Sequence, residues 1–262
     1  MTSSDGRSET AHGIFNKNTV RLSYFGKFGM QVSGGSIAVS AKALTIPAML
    51  LYLLQKNNNT ATPIEICDAL WNDTSLDSVN RLKAALYRFR QKYRGVFAKG
   101  DLIVTSDQGY SLNERYRIAS DLDQFDRLLK AAESCRTVDE RMYTLRKAVF
   151  EYKGSPFSYC FKDYWEDKIS DEYEGKFCKA FNQYMLLLKS RHDYSSMLEA
   201  ARHALQVVEP TDQIYGWCIL ALNLNLFHEQ AKKLFMKAKE GLESTRFSKM
   251  EQALAQEKVT FS

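Results

Sequence analysis

The spacing of apolar residues changes once along this chain, near Asn113, and that change limits the folds open to it. Before it, short apolar and aromatic runs are punctuated by glycine. VRLSYFGKFGMQVSGGSIAVS, with Gly26, Gly29 and the Gly34-Gly35 pair, reads as a meander of three or four short antiparallel strands joined by tight turns. VFAKGDLIVTSDQGYSLN reads as two further strands, with Gly109 closing the bend ahead of Tyr110. After Asn113 no strand is expected. Apolar residues there recur at helical spacing over about 122–135, 138–152, 164–189, 195–208, 213–226 and 229–242. The fold class is therefore α+β at the N-terminal end and all-α beyond it.

Three helices are expected between the two groups of strands. The first spans about 42–55, with Pro47 in its first turn or at a kink, and NNNTAT stops it. Thr62 ahead of Pro63 is the N-cap of a short helix, PIEICDALW, and NDTSLDS is its polar exit. Ser75 or Asp77 caps the third, spanning 76–94, in which Val79, Leu82, Leu86, Phe89 and Tyr93 fall on one face. At about 100° per residue the opposite face carries Asn80, Ala84, Tyr87, Arg88 and Gln91, flanked by Arg81, Lys83 and Arg94.

Charge concentrates in that segment. Between Leu76 and Gly95 six cations (Arg81, Lys83, Arg88, Arg90, Lys92, Arg94) stand against Asp77 alone, an excess of five that equals the formal charge of the whole 262-residue chain. Strands, three helices and a hairpin, with the third helix apolar inside and basic outside, make a winged helix-turn-helix, whose third helix fits the major groove of double-stranded DNA. Arginine and lysine suit phosphates, Asn80, Arg88 and Gln91 suit base edges, and Tyr87 offers both a ring and a hydroxyl. The competing reading is a solvated basic helix face.

The helical part carries its own signals. ALQVVE ends at Pro210, AARHALQVVEP and the next two helices repeat at a tetratricopeptide-like period, and Ala200, Ala201, Ala204, Ala231 and Ala238 allow close helix approach. Its reading is an α-solenoid. The YWEDKISDEYEGKF run reads as a solvated amphipathic helix, with Glu172 and Glu174 serving solubility, and Trp71, Trp165 and Trp217 read as core anchors.

Other function classes lack support. Nucleotide-binding, serine-hydrolase and zinc-protease motifs are absent, and His12, His192, His203 and His228 lack metal-ligand spacing, so no catalytic residue, cofactor or metal is expected and the histidines read as surface or capping residues. Five scattered cysteines without a C-x-x-C pair read as packed thiols in a reducing compartment. The polar leader 1–18 has no signal-peptide core, and no apolar run reaches membrane-spanning length. The expected location is cytoplasmic, at the nucleoid.

ICDALW, NRLKAALYRFRQKY and LIVTSDQGYSLN, in that order, resemble the DNA-binding half of the SARP-like bacterial transcriptional activators, which have an OmpR-type winged helix. DLDQFDRLLKAAE, LRKAVFEYKGSPF and ARHALQVVEP are similar to the bacterial transcriptional activator domain, a tetratricopeptide-like module that follows it in that family. Residues 1–18, polar and small, read as a disordered leader. The resemblance covers about 20–242 and implies a winged helix-turn-helix domain 19–114 and a helical activator domain 115–262. It also implies DNA reading by Asn80, Lys83, Ala84, Tyr87, Arg88 and Gln91, and approach to RNA polymerase by the loop 72–78, where Asp73 and Asp77 could pair with a basic surface. The helical half would form a homodimer or take a protein or ligand partner. One departure stands out: relatives often carry an arginine before the wing's Gly-Tyr pair, and this chain has Ser106 and Asp107, which weakens wing contact and leaves Lys99 as a partial substitute. A protein-interaction adaptor with a degenerate winged helix is the alternative. No α/β repeat precedes the strands, so a phosphoacceptor receiver is not expected.

Overall fold

The computed structural model describes residues 18–32, 35–37, 44–157 and 164–261. The leader except Asn18, the Gly34 turn, Lys42, His12 and Cys160 lie outside the described residues.

The N-terminal meander forms β1 (Thr19–Ser23), β2 (Gly29–Val32) and β3 (Gly35–Ile37), paired in order and antiparallel. Alternation buries Val20, Leu22, Met30 and Val32 on one face. Helix α1 (Thr45–Gln55) follows, with Pro47 in its first turn, where no backbone donor is lost. Strand β4 (Thr60–Ala61) comes next, then α2 (Pro63–Trp71), α3 (Leu76–Lys92) and the hairpin β5 (Ile103–Ser106) and β6 (Gly109–Leu112). NNNTAT thus does more than stop a helix: its Thr60 and Ala61 pair with Ser111 and Tyr110, so the wing is a three-stranded sheet ordered β4-β6-β5.

Strand β7 (Arg117–Ser120) corrects the expectation that no strand follows Asn113. It lies parallel to β1, Thr19 opposite Arg117 and Leu22 opposite Ser120, and completes a four-stranded sheet ordered β3-β2-β1-β7. RIAS is too short for its period to register, and only pairing with a distant strand fixes it as extended.

Ser120 then caps α4 (Asp121–Ser134) by accepting from the Asp123 amide. Helix α5 (Val138–Glu151) opens on a capping box of Thr137 and Glu140, and α6 (Tyr164–Ser190), α7 (Tyr194–Val207), α8 (Asp212–Leu224), α9 (His228–Gly241) and α10 (Ser244–Gln256) complete the chain. Consecutive helices from α4 to α9 pack as neighbours, and α10, which sequence spacing did not reveal, closes against α8. Ala200, Ala201, Ala204, Ala231 and Ala238 are all buried. The architecture is a winged helix followed by a helical repeat.

The start of α6 is not solvated as expected. Ile169, Ser170, Tyr173 and Phe177 are buried, Ser170 Oγ donates to the Pro156 carbonyl, and the helix packs on both α5 and α2. Glu172 pairs with Lys176 at 2.7 Å and Glu174 accepts from Ser155 Oγ at 2.9 Å, so both carboxylates have structural partners. The tryptophans are half-buried, with Trp217 Nε1 donating to Asn182 at 2.8 Å. His203 does cap, its Nε2 lying 3.0 and 2.9 Å from the Val149 and Tyr152 carbonyls at the end of α5.

Sheet and helices are joined through the turn after β1. Phe25 sits edge-on or tilted against Phe125, Tyr152 and Tyr173, with ring centroids at 5.3, 4.9 and 5.8 Å. The Asp121 carboxylate accepts from the Tyr24 amide at 2.8 Å and the Phe25 amide at 3.0 Å. Burial pushes this carboxyl up, and the backbone N–H groups of Tyr24, Phe25 and Leu122 pull it back down. Gly26 N–H donates to the Gly154 carbonyl at 3.1 Å.

Candidate nucleic-acid interface

Helix α3 is held from three sides. At its start, Ser75 Oγ accepts from the Ser78 amide at 3.2 Å, and Ser78 Oγ donates to the Asp73 and Ser75 carbonyls at 2.9 Å each. Asp73 accepts from the Ser75 amide at 2.8 Å and its hydroxyl at 3.0 Å. Those bonds, the amide first, hold the Asp73 carboxyl below its ordinary range. Along its inner face Leu82, Leu86 and Phe89 are buried, and Phe89 continues into Tyr93, Phe97 and Tyr116 through ring contacts of 5.0 to 6.0 Å. The Tyr116 hydroxyl accepts from the Lys99 amide at 2.7 Å, fixing the backbone that carries Lys99.

The third hold is Arg90. Its Nη2 donates to the Ile103 carbonyl at 2.7 Å and to Thr105 Oγ1 at 3.0 Å, while Nε lies 3.2 Å from Asp101. One cation of the basic run is therefore turned inward to fasten the wing to α3. Only its place beside the buried Phe89 separates Arg90 from the other cations in the sequence; its partners, 11 to 15 residues further on, are set by how the hairpin folds.

Asn80, Arg81, Lys83, Ala84, Tyr87, Arg88, Gln91, Arg94 and Lys99 are all exposed, Tyr87 at 64%. They are not equivalent. The Arg81 guanidinium stacks over Trp71, 3.6 Å from the ring centroid, which fixes it beside the α2–α3 turn. Lys83, Arg88, Arg94 and Lys99 form no ion pair among the described residues. Of the two loop acids, Asp77 stands in the first turn of α3, a favourable place for an anion, whereas Asp73 is engaged within its own turn.

The wing tip carries no cation: Ser106, Asp107 and Gln108 are exposed. Gly109 is required by close approach, since φ is +120° and an added Cβ would fall 2.4 Å from the Ala61 carbonyl oxygen. Among the described residues no cluster of three or more His, Cys, Asp or Glu could hold a metal, and no helix is long and apolar enough to cross a membrane.

No protein-family model matches the sequence. No curated protein matches it either. Among solved structures, Mycobacterium tuberculosis EmbR in complex with a low affinity phosphopeptide matches with a TM-score of 0.58 and 17% identity over 90% of this chain. The chain spans 65% of that structure's own length. At this identity the likeness is one of fold, and it extends through the winged helix and the helices that follow.

Proposed function

We propose that this chain is a sequence-specific DNA-binding transcription regulator, an activator, that inserts α3 into the major groove. The observation that carries this reading is the outward face of α3, where Asn80, Tyr87, Arg88 and Gln91 stand exposed on a helix fixed by a rigid turn and a wing. A solvated face needs no such array of base-reading side chains. Arg81, Lys83, Arg94 and Lys99 flank it as phosphate contacts, and Ala84 leaves room for close approach of a base edge. In this reading Asp77 is the acid presented to RNA polymerase and Asp73 shapes the loop. The winged-helix domain is 19–114, the helical domain 115–262 forms a homodimer or receives a protein or ligand partner, and the protein works in the cytoplasm on the nucleoid.

The adaptor reading draws on the wing tip, where Asp107 faces solvent in a position that would repel phosphate. Fluorescence anisotropy with a mixed-sequence duplex separates the two. A DNA reader loses affinity along a straight log-log line as salt rises; an adaptor retains no duplex at low salt.

A further inference from the structure

We propose that the groove between α7 and α9, floored by α8, is a docking site for a short acidic peptide segment bearing apolar anchors. It holds about 320 Å³, and its lining is largely apolar: Cys218 and Leu222 from the α8 floor, Leu198 and Leu205 from α7 and Leu234 from α9. Arg202 stands on the α7 wall, and Lys233 and Lys237, one turn apart, stand on the α9 wall. No acidic side chain lines the groove, and none of these three cations forms an ion pair among the described residues. Positive charge thus flanks an apolar strip from both sides.

The turn between α8 and α9 extends the strip. Phe227 N–H donates to the Leu222 carbonyl at 2.9 Å and Leu226 N–H to the Asn223 carbonyl at 3.0 Å, a Schellman closure whose left-handed position usually holds glycine. Here Leu226 occupies it at φ +64° and is 78% exposed. Phe227 lies beside the groove, 5.7 Å from the Arg202 guanidinium. The strained, solvent-facing leucine, next to a partly exposed phenylalanine, enlarges an apolar contact surface.

The occupant follows from this chemistry. Nucleic acid would satisfy the cations and leave the apolar lining uncovered; a purely apolar molecule would leave the cations unused. An amphipathic acidic segment answers both. The walls Leu198–Leu205 and Gln230–Lys237 are each about two helical turns, roughly 10 Å, so a segment of similar length makes the contact. This site is separate from the α3 face and does not depend on whether that face binds DNA.

The test uses the full chain and a fluorescein-labelled peptide, EDLLEDLLEDLL, in anisotropy titrations at about 50 and 200 mM salt. Binding is expected to saturate, to weaken with salt, and to weaken tenfold or more in Lys233→Glu/Lys237→Glu, both residues being exposed and free to change without unfolding. Leu205→Ala should also weaken it with the circular dichroism unchanged, and a peptide with lysine at each acidic position should not bind. The proposal fails if wild type does not bind, if the double variant binds equally, or if the lysine peptide binds as well. It also fails if duplex DNA displaces the peptide and the double variant loses duplex binding, which would assign the groove to nucleic acid.

Discussion

Replacing Arg88 with alanine isolates the outward face of α3 from the fold that supports it. Arg88 is exposed and pairs with no acid among the described residues, and alanine is an excellent helix former, so stability should change by no more than about 0.5 kcal/mol. Duplex binding should change clearly. If Arg88 neutralises a phosphate as Arg81, Lys83, Arg94 and Lys99 do, the log-log salt slope of the wild type is about −4.5, and Arg88→Ala brings it to about −3.6. Between about 50 and 200 mM salt the wild type then loses affinity roughly 500-fold and the variant roughly 150-fold. If Arg88 instead reads a base edge, the slope stays and preference for the correct base falls by about 1–3 kcal/mol. Arg90→Ala is the internal control. It removes the bonds to Ile103 and Thr105 and the pair with Asp101, so it should cost about 1–3 kcal/mol of stability by chemical denaturation. Anisotropy with a mixed-sequence duplex, read beside denaturation curves, separates these outcomes. An Arg88→Ala variant that binds at every salt as the wild type does, on both random and preferred duplexes, would remove α3 from the interface.

Gly109→Ala should destabilise by about 3 kcal/mol or more, because the side chain meets both an unfavourable backbone angle and the Ala61 carbonyl; urea midpoints measure it. Leu226→Gly should stabilise by about 1 kcal/mol by relieving the left-handed strain, raising the melting temperature by a few degrees. Asp77→Asn should lower activated transcription in a reconstituted assay while duplex affinity is retained, whereas Asp73→Asn should also loosen the α2–α3 turn, visible as a lower melting temperature. Phe25→Ala should cost about 3–5 kcal/mol, and calorimetry should show its single transition splitting into two as the sheet and helices lose their common core.

Much of the N-terminal half could be read from local chemistry. Thr62-Pro63 and Ser75 announce their helices through capping, and the spacing of Leu82, Leu86 and Phe89 sets which face of α3 is buried. These signals lie within a few residues of the feature they specify. What escaped reading depends on distant partners. Strands β4 and β7 are two and four residues long and exist because β6 and β1 offer them edges. Arg90 looks like any other cation of the run until the hairpin folds back onto it. Glu166, Ser170 and Tyr173 lie in a segment rich in charge, yet α6 is buried where it crosses α2 and α5, a contact no periodicity records.

The same nonlocal contacts decide how a signal could travel. A helical repeat tethered by a linker could bind a partner without consequence for the winged helix, but here β7 is a strand of the N-terminal sheet and its last residue, Ser120, caps α4. The next residue, Asp121, grips the Tyr24 and Phe25 amides, and Phe25 is enclosed by rings from α4, α6 and the end of α5. Movement between the halves must therefore break a parallel strand pair, a desolvated carboxylate site and an aromatic cluster together, which makes a hinge at this junction costly. The groove on α7 to α9 lies in helices that, among the described residues, pack chiefly on other helices of the repeat. An occupant there acts on DNA more economically through assembly, by bringing a second protein to the rigid pair of domains or by altering self-association, than by tilting the recognition helix within one copy.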